Sequence, residues 1–370
     1  MKQIKLGQVP NMVEILQHFS LASPPISCRP YGAGHINKTY LVETEQGARY
    51  ILQKINQNVF RNVEGLMENL RAVTGYLRER VQNPREVLQL VDTTEGQACY
   101  RAPDGGVWRV FVFTENTICL ETIQSPEEFR ESAVAFGRFQ QLLTDFPAHT
   151  LVQTIPNFHN TPDRYRIFKE VLAADPMGRA KNVTEEIAFA LAREEEAGTL
   201  IRLQEAGELP LRVTHNDTKL NNVLLDADTK KALCVIDLDT VMPGLAAYDF
   251  GDSVRFGASS AAEDEQDLSK VHFLPDLYRV FAEGFLEACP GLTEMERQTL
   301  PLGAKLMTLE NGVRFLTDYL DGDHYFAIHR PGQNLDRART QFKLVADMER
   351  QWDIMQTVIQ EAAPVGSPDH

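Results

Sequence analysis

Five polar side chains in one short part of the chain have the chemistry needed to transfer a phosphoryl group to a hydroxyl. They are Asp217, Lys219, Asn222, Asp237 and Asp239, and the first three form the motif H-x-D-x-K-x-x-N between two apolar runs. This transfer needs a carboxylate that orients the hydroxyl and takes its proton, oxygen ligands for Mg²⁺, and positive charge near the phosphate. We therefore predict Asp217 as catalytic base, Asn222 and Asp237 as magnesium ligands, and Lys219 as the cation that reaches the phosphate.

The acidic residues after this motif differ in how clearly the sequence defines their roles. Asp237 ends the apolar strand Ala232–Ile236, and Asp239 follows two residues later, so both carboxylates can face the same side. Asp239 is either a third magnesium ligand or a turn residue that supports the ligands from behind. Asp249 begins the letters D-F-G, the metal motif of protein kinases. It lies too far along the chain for that role, so we expect it to brace the Asp217 loop from below or to act as an acid at a helix N-terminus.

A glycine-rich turn enters the first clear strand of the chain. It contains Gly32, Gly34, His35 and Asn37. Glycines allow backbone N–H groups to approach phosphates closely, so Gly32 and Gly34 are predicted to bind a nucleotide. His35 and Asn37 are candidates for contact with the phosphate or the acceptor, although a lone histidine is more often structural.

The strand that should carry a phosphate-binding lysine has Gln53 instead, and Lys219 could supply that charge from below. Residues 113–118 are predicted to connect two lobes. Adenine would lie in the crease there, bonded to backbone groups and flanked by apolar side chains, so Gln53, Phe113 and Glu115 are predicted nucleotide contacts.

Hydrophobic periodicity predicts an α+β, two-lobed, protein-kinase-like fold. Residues 1–115 form a small β-rich lobe and residues 116–370 a larger, mainly helical lobe. The helices expected in the larger lobe are Glu127–Phe146, Glu185–Glu205, Phe281–Cys289, Pro301–Leu320 and Leu335–Trp352. Its C-terminal part should bind the acceptor through polar and aromatic groups, among which Arg314 stands out because it lies within an apolar helix.

Composition narrows the class of partner. The chain has 370 residues, 43% hydrophobic and 24% charged, with a formal net charge of −15. This charge argues against nucleic acid or an anionic membrane as the main partner. The five cysteines are scattered, and we see neither a signal peptide nor an apolar run of membrane-spanning length, so a cytoplasmic protein is expected.

These motifs together resemble the aminoglycoside phosphotransferase and choline kinase-like superfamily, and within it most closely the bacterial N-acetylhexosamine 1-kinases. The shared strings cover nearly the full length. They lie at Pro30–Asn37, Arg49–Gln53, Leu211–Asn222, Ile236–Thr240, Asp249–Ala258, Asp264–Phe273 and Arg314–Leu320. Glutamine at position 53 is also typical of that group.

The resemblance implies an ATP- and Mg²⁺-dependent enzyme that phosphorylates the anomeric hydroxyl of GlcNAc or GalNAc. By the same resemblance Asp217 is the base, Asp237 and Asn222 address Mg²⁺, and His35, Arg314 and Tyr325 line the sugar pocket. Three alternatives stay open: an aminoglycoside-inactivating kinase, a protein kinase, and a pseudokinase that senses ATP or sugar. The preference between the two sugars and the oligomeric state stay open as well.

Overall fold

An antiparallel sheet forms the N-terminal part of the molecule. The computed structural model describes residues 10–32 and 36–362. Its main sheet has the strand order β1-β2-β3-β6-β4, and β5 pairs with the free part of β6. The strands of the described chain are β1 (Pro25–Pro30), β2 (Lys38–Thr44), β3 (Arg49–Lys54), β4 (Leu90–Val91), β5 (Tyr100–Arg101), β6 (Val107–Val112), β7 (Thr117–Cys119), β8 (Arg212–Thr214), β9 (Val223–Asp226), β10 (Ala232–Val235) and β11 (Met242–Gly244).

Helices make up most of the chain after β7. The helices of the described chain are α1 (Pro10–Gln17), α2 (Val63–Arg78), α3 (Pro126–Leu142), α4 (Thr161–Ala174), α5 (Thr184–Leu191), α6 (Glu194–Ala197), α7 (Thr199–Glu205), α8 (Ala246–Gly257), α9 (Pro275–Ala288), α10 (Glu294–Asp321), α11 (Gln333–Arg350) and α12 (Trp352–Ala362). The prediction of an α+β fold with a β-rich N-terminal and a helical C-terminal region is confirmed. Within the described residues, no helix is both long and apolar enough to cross a bilayer.

All five predicted helices have different bounds in the structure, and two of the differences have a clear physical reason. The segment expected to form one helix over Glu185–Glu205 is divided into α5, α6 and α7. The breaks fall at Arg193, whose guanidinium donates to Glu349 on α11, and at Gly198, a residue with low helix propensity. Helix α10 begins at Glu294 rather than at Pro301, because Thr293 and Glu296 form a capping box there.

Two small sheets set the positions of the acidic loops. In one, β9 pairs with β10 and with β7; in the other, β8 pairs with β11. The Asp217 loop runs from β8 to β9, and the Asp237 loop runs from β10 to β11. The pairs Thr214–Met242 and Val223–Val235 therefore hold the two loops side by side at both ends.

Helix α8, which supports the Asp217 loop, crosses α10 at two glycines. A Cβ at Gly303 would lie 2.4 Å from the Ala247 carbonyl oxygen, and one at Gly251 would lie 2.4 Å from the Gly303 carbonyl oxygen. We expect Gly303→Ala to lower the free energy of unfolding by about 1–3 kcal/mol, because the helices must separate. Urea unfolding followed by circular dichroism measures this change.

The matched control for this prediction is Gly75→Ala on α2. A Cβ there would meet nothing within 4 Å. Alanine is a better helix former than glycine, so this substitution should raise stability by about 0.5–1 kcal/mol. If Gly303→Ala raised stability as Gly75→Ala is expected to do, helix propensity would outweigh the close crossing at Gly303.

Candidate active site

Asp217 lies in the loop after β8 with its carboxylate half-buried and directed at two neighbours. Lys219 Nζ lies 2.7 Å from its Oδ1. Asn222 Nδ2 donates to the Asp217 carbonyl oxygen at 2.8 Å and lies 3.4 Å from Oδ2. Burial alone would lower the pKa of Lys219, but the Asp217 carboxylate outweighs it and raises that pKa above its usual value. Three of the predicted residues are thus in direct contact.

His215 braces this loop from the core. Its Nε2 lies 2.8 Å from the Ile236 carbonyl oxygen, and its Nδ1 accepts a hydrogen bond from the Asp217 N–H at 3.3 Å. An acceptor on one nitrogen and a donor on the other select the neutral tautomer with hydrogen on Nε2. Phe136 packs edge-on against the ring with centroids 5.4 Å apart. The imidazole therefore ties the base loop to the strand that precedes Asp237.

Asp249 supports the same loop from below, in agreement with the sequence-based prediction. It is fully buried in the first turn of α8. Its two oxygens accept hydrogen bonds from the backbone N–H groups of His215 at 2.9 Å and Asn216 at 2.8 Å, and from Gln140 Nε2 at 2.8 Å. Asn216 has a left-handed backbone, with φ of 66°. This carboxylate therefore stabilises a sharp bend immediately before Asp217.

Asp237 projects into the same cleft from the neighbouring loop. Its backbone is left-handed, with φ of 58°. Desolvation by the surrounding protein raises the pKa of Asp237 to about 6, and the charges of Asp239 and Asp217 act in the same direction. A bound cation would relieve this repulsion.

The oxygen donors in this cleft fit a magnesium ion. Asn222 uses its Nδ2 on Asp217, and within the described chain no hydrogen bond engages its Oδ1. The described residues contain no group of three or more His, Cys, Asp or Glu side chains arranged as a complete metal site. Mg²⁺ usually takes one or two carboxylates together with phosphate oxygens and water, so Asp237 and Asn222 are a suitable protein contribution.

Asp239 is turned away from this open cleft. Its side chain is buried, and both oxygens accept hydrogen bonds from Arg109, with Nη2 at 2.9 Å from Oδ2. Asn37 Nδ2 also donates to Oδ2 at 2.6 Å. This geometry favours support from behind over direct ligation, the two possibilities that the sequence left open. It also commits the Asn37 amide to the loop of the metal-ligand candidate.

Three of the predicted nucleotide residues follow strands of the N-terminal sheet, Gly32 after β1 and Phe113 and Glu115 after β6, whereas Gln53 lies on the central strand β3. Gly32 has φ of +74°, a conformation that favours glycine. Gly34 and His35 lie outside the described residues. Arg49 stacks over the Phe113 ring at 4.2 Å and donates to the Glu115 carboxylate at 2.9 Å.

Arg314 lies among aromatic rings on the far side of the base loop. Its guanidinium carbon is 5.7 Å from the ring centroids of Phe158 and Tyr325 and 5.3 Å from that of Phe326. Its Nη2 lies 3.4 Å from the hydroxyl of Tyr325, a residue that is largely exposed. Two of the predicted sugar contacts, Arg314 and Tyr325, are therefore neighbours. We call these four side chains the aromatic–arginine wall.

His159 and Glu310 connect this wall to the base loop, and the His159 ring packs against Phe158 with centroids 4.5 Å apart. His159 Nε2 lies 3.1 Å from the Asn216 carbonyl oxygen and Nδ1 lies 3.0 Å from Glu310 Oε1. Glu310 also accepts from the Thr161 hydroxyl at 2.7 Å. Although burial opposes ionisation of Glu310, His159 and the other neighbours lower its pKa below the usual value. Each ring nitrogen of His159 therefore faces an oxygen, and the imidazole bridges Glu310 and the base loop.

A sequence profile decides the family of this chain. The profile described as "phosphotransferase enzyme family" (APH) matches residues 27–283. The chain belongs to this phosphotransferase family. The matched range includes the glycine-rich turn, the Asp217 loop and the Asp237 loop.

Solved structures share the fold of this phosphotransferase at low sequence identity. A microcompartment-associated aminopropanol kinase is 17% identical with a TM-score of 0.56, covering 94% of this chain and 98% of its own. An aminoglycoside phosphotransferase from Alicyclobacillus acidocaldarius is 13% identical with a TM-score of 0.61, and the coverages are 94% and 95%. A choline kinase from Cryptosporidium parvum is 14% identical with a TM-score of 0.58, and the coverages are 94% and 97%. At these identities the likeness concerns the fold.

Four residues of the phosphotransferase site were not predicted from the sequence. Arg109, His159 and Glu310 lie far along the chain from the residues they contact. Arg164 donates to the carbonyl oxygen of the nearby Phe158, but it also lies close to Arg314 on another helix. Glu310 carried the same signal as Arg314, because it is a charged residue inside an apolar helical run. The other three carried no comparable signal.

Proposed function

We propose that the chain transfers the γ-phosphate of ATP to the anomeric hydroxyl of an N-acetylhexosamine, GlcNAc or GalNAc. The observation that carries this proposal is the connection of the aromatic–arginine wall to the Asp217 loop through His159 and Glu310. Sugars bind through aromatic faces and directed hydrogen bonds, which this wall offers next to a carboxylate base. The motif resemblance to N-acetylhexosamine 1-kinases supports the same substrate.

In the proposed reaction Asp217 holds the anomeric hydroxyl and accepts its proton as the oxygen bonds to phosphorus. Lys219, paired with Asp217 in the structure described, would turn to the transferring phosphate when nucleotide is present. Asp237 and Asn222 would hold Mg²⁺, which neutralises charge on the phosphates when bound. An anomeric hydroxyl is more acidic than an ordinary alcohol, so an unassisted carboxylate suffices as base.

The adenine would lie against the backbone of residues 113–115. Within the described chain, no hydrogen bond engages the Phe113 carbonyl oxygen or the Glu115 N–H, whereas the Glu115 carbonyl accepts from Arg85 at 2.9 Å. A carbonyl and an N–H two residues apart match the donor and acceptor on the adenine edge. Phosphates would extend from there toward Gly32 and Gly34.

Because the five cysteines are unpaired, we place this reaction in a reducing compartment, the cytoplasm.

The charges of the proposed acceptor site favour a neutral acceptor over a polycationic aminoglycoside. Arg164 lies close enough to Arg314 that burial and the Arg314 charge together lower the Arg164 pKa. Its Nε is buried and has no hydrogen-bond partner among the described residues. Two guanidinium groups would repel a polycation and can donate to sugar hydroxyls or an acetamido carbonyl. Another small-molecule kinase activity of this family is the alternative.

The test is incubation of the chain with ATP and Mg²⁺ and separate GlcNAc, GalNAc, glucose, galactose, choline, aminopropanol and kanamycin. Phosphorus NMR of the product distinguishes an anomeric phosphate by its coupling to H1. We expect turnover with the two N-acetylhexosamines and a sugar 1-phosphate product. Faster phosphorylation of choline, aminopropanol or kanamycin, or transfer to another sugar hydroxyl, would contradict the proposal. Binding of ATP without turnover of any acceptor would indicate a pseudokinase.

Arg314→Ala should weaken acceptor binding selectively. A hydrogen bond from a charged donor contributes about 1.5–3 kcal/mol, so we expect the sugar KM to rise about tenfold to hundredfold with the ATP KM nearly unchanged. Initial-rate kinetics with each substrate varied separately measure this. Arg166→Ala, on the exposed face of α4, is the control and should leave both constants unchanged. An equal rise in both KM values would contradict the placement of Arg314 in the acceptor site.

A further inference from the structure

Arg109 is a buried cation at the junction of the N-terminal sheet and the Asp237 loop. It lies on β6, in register with Gln53 on β3. The side chain is among the largest fully buried ones of the described chain, with 1% of its surface exposed. A buried guanidinium needs a counter-charge and partners for its N–H groups. Two residues supply the counter-charge and the hydrogen-bond acceptors.

Gln53 and Asp239 provide these partners. The Gln53 Oε1 accepts from Arg109 Nε at 3.0 Å and from Nη2 at 2.8 Å. The Asp239 carboxylate accepts from both Nη1 and Nη2. Gln53 Nε2 in turn donates to the Thr39 hydroxyl on β2 at 3.1 Å. The guanidinium is thus oriented from one side by the sheet and bonded on the other side to a loop that lies far away in sequence.

The loop is held in the same place by two further contacts. Asn37 accepts from the Asn56 N–H at 2.9 Å while it donates to Asp239. The Thr154 hydroxyl donates to the Asp239 carbonyl oxygen at 2.9 Å. Asp239 is two residues from Asp237, and a single helical turn, Leu238–Thr240, lies between the Asp237 backbone and β11. Fixing Asp239 therefore fixes the backbone position from which the Asp237 side chain projects.

We propose that Arg109 compensates for the absent strand lysine by positioning the metal-ligand loop through Asp239. In this arrangement Gln53 is a positioning residue for Arg109 and does not contact the phosphates. This replaces the earlier prediction that Gln53 binds nucleotide and the idea that Lys219 alone supplies the missing charge. The inference rests on the proposed Mg²⁺–nucleotide site but is independent of the acceptor.

ADP affinity with and without Mg²⁺, measured by calorimetry on the full chain, tests the proposal. Loss of a residue that orients a metal ligand typically costs about 10–100-fold in metal affinity. We expect Arg109→Lys, which cannot bind Gln53 and Asp239 together, to reduce the Mg²⁺-dependent gain in ADP affinity by about tenfold or more. ADP affinity without Mg²⁺ should stay within about twofold, because adenine binding does not involve this residue.

Gln53→Met and Gln53→Lys keep the test decisive where an Arg109 variant folds poorly. The Met variant removes the acceptor at nearly unchanged volume and should lower the Mg²⁺-dependent gain in the same direction as Arg109→Lys. The Lys variant restores the usual kinase residue but places a second cation against Arg109, so it should also lower that gain. Tighter Mg²⁺–ADP binding by Gln53→Lys would overturn the proposal, because it would mean that position 53 faces the phosphates.

Arg101→Lys is the matched control. Arg101 lies on the neighbouring strand β5 and is exposed, where it pairs with Glu64 at 2.6 Å. It should leave both ADP affinities unchanged. Failure of the chain to bind ADP at all would count against the proposed nucleotide site, whereas binding without phosphorylation of any sugar would count against the acceptor alone. An Arg109→Lys chain with an unchanged Mg²⁺-dependent gain would overturn the role of Arg109.

Discussion

Asp217→Asn is expected to lower kcat by about 10²–10⁴-fold, the usual contribution of a general base. The amide is isosteric but cannot accept the proton of the acceptor hydroxyl. Its backbone N–H can still donate to His215, and the Asn222 bond to its carbonyl oxygen is unaffected, so the loop should keep its shape. Turnover of ATP with N-acetylhexosamine, measured at saturating concentrations of both substrates, provides kcat.

The variant should bind ADP and Mg²⁺ with an affinity close to that of the unmodified chain, which separates loss of the base from loss of the site. Asp145→Asn, an exposed residue beyond the end of α3, is the matched control and should retain full activity. If Asp217→Asn kept more than about a tenth of the original kcat, proton transfer by Asp217 would contribute too little to be the base.

Asp249→Asn should be the most destabilising conservative substitution in the site. The carboxylate satisfies three N–H donors in a fully buried position. An amide has one acceptor oxygen and turns an NH₂ group toward donors, leaving at least one buried donor unsatisfied at about 1–3 kcal/mol each. We expect the free energy of unfolding to fall by about 2–4 kcal/mol, measured by urea denaturation.

The kcat of the Asp249 variant should also fall, because the left-handed turn at Asn216 that aims Asp217 loses at least one of its two hydrogen bonds to this side chain. Asp276→Asn is the matched control, since Asp276 is likewise an acid in the first turn of a helix but is exposed on α9. Only the macrodipole interaction is lost there, about 0.3–1 kcal/mol. Equal destabilisation by the two substitutions would show that the interaction with the helix macrodipole, not support of the loop, explains the role of Asp249.

The sequence predicted the parts of the site in which spacing along the chain determines spacing in space. Asp217, Lys219 and Asn222 lie in one loop between paired strands, so their offsets alone bring them into contact. Support of this loop by Asp249 was one of the two roles that the sequence left open. The β-rich N-terminal region and the helical C-terminal region followed from periodicities of two and of 3.6 residues.

Contacts between distant segments could not be predicted in this way. Arg109 is a charged residue in an apolar strand, a pattern that also fits an exposed residue on an edge strand. The neighbouring sequence does not identify Asp239 as its partner. His159 is a single histidine in an irregular segment, and its role depends on Glu310 and Asn216, which come from two other elements. The division of the segment Glu185–Glu205 likewise depends on the ion pair of Arg193 with Glu349 on another helix. Helix propensity, which depends only on residue type, does not predict such a contact.

The pairing of β7 with β9 fixes part of the segment that follows the N-terminal sheet. Thr117–Cys119 is hydrogen-bonded to β9, and Arg85 together with the Ala227 N–H holds the carbonyl oxygens of Glu115 and Asn116. In this segment the Phe113 carbonyl oxygen and the Glu115 N–H have no hydrogen-bond partner within the described chain, while the neighbouring peptide groups are held by Arg49, Arg85 and Ala227. The backbone proposed to receive adenine is therefore preorganised by its surroundings, and a bound base would need little rearrangement there.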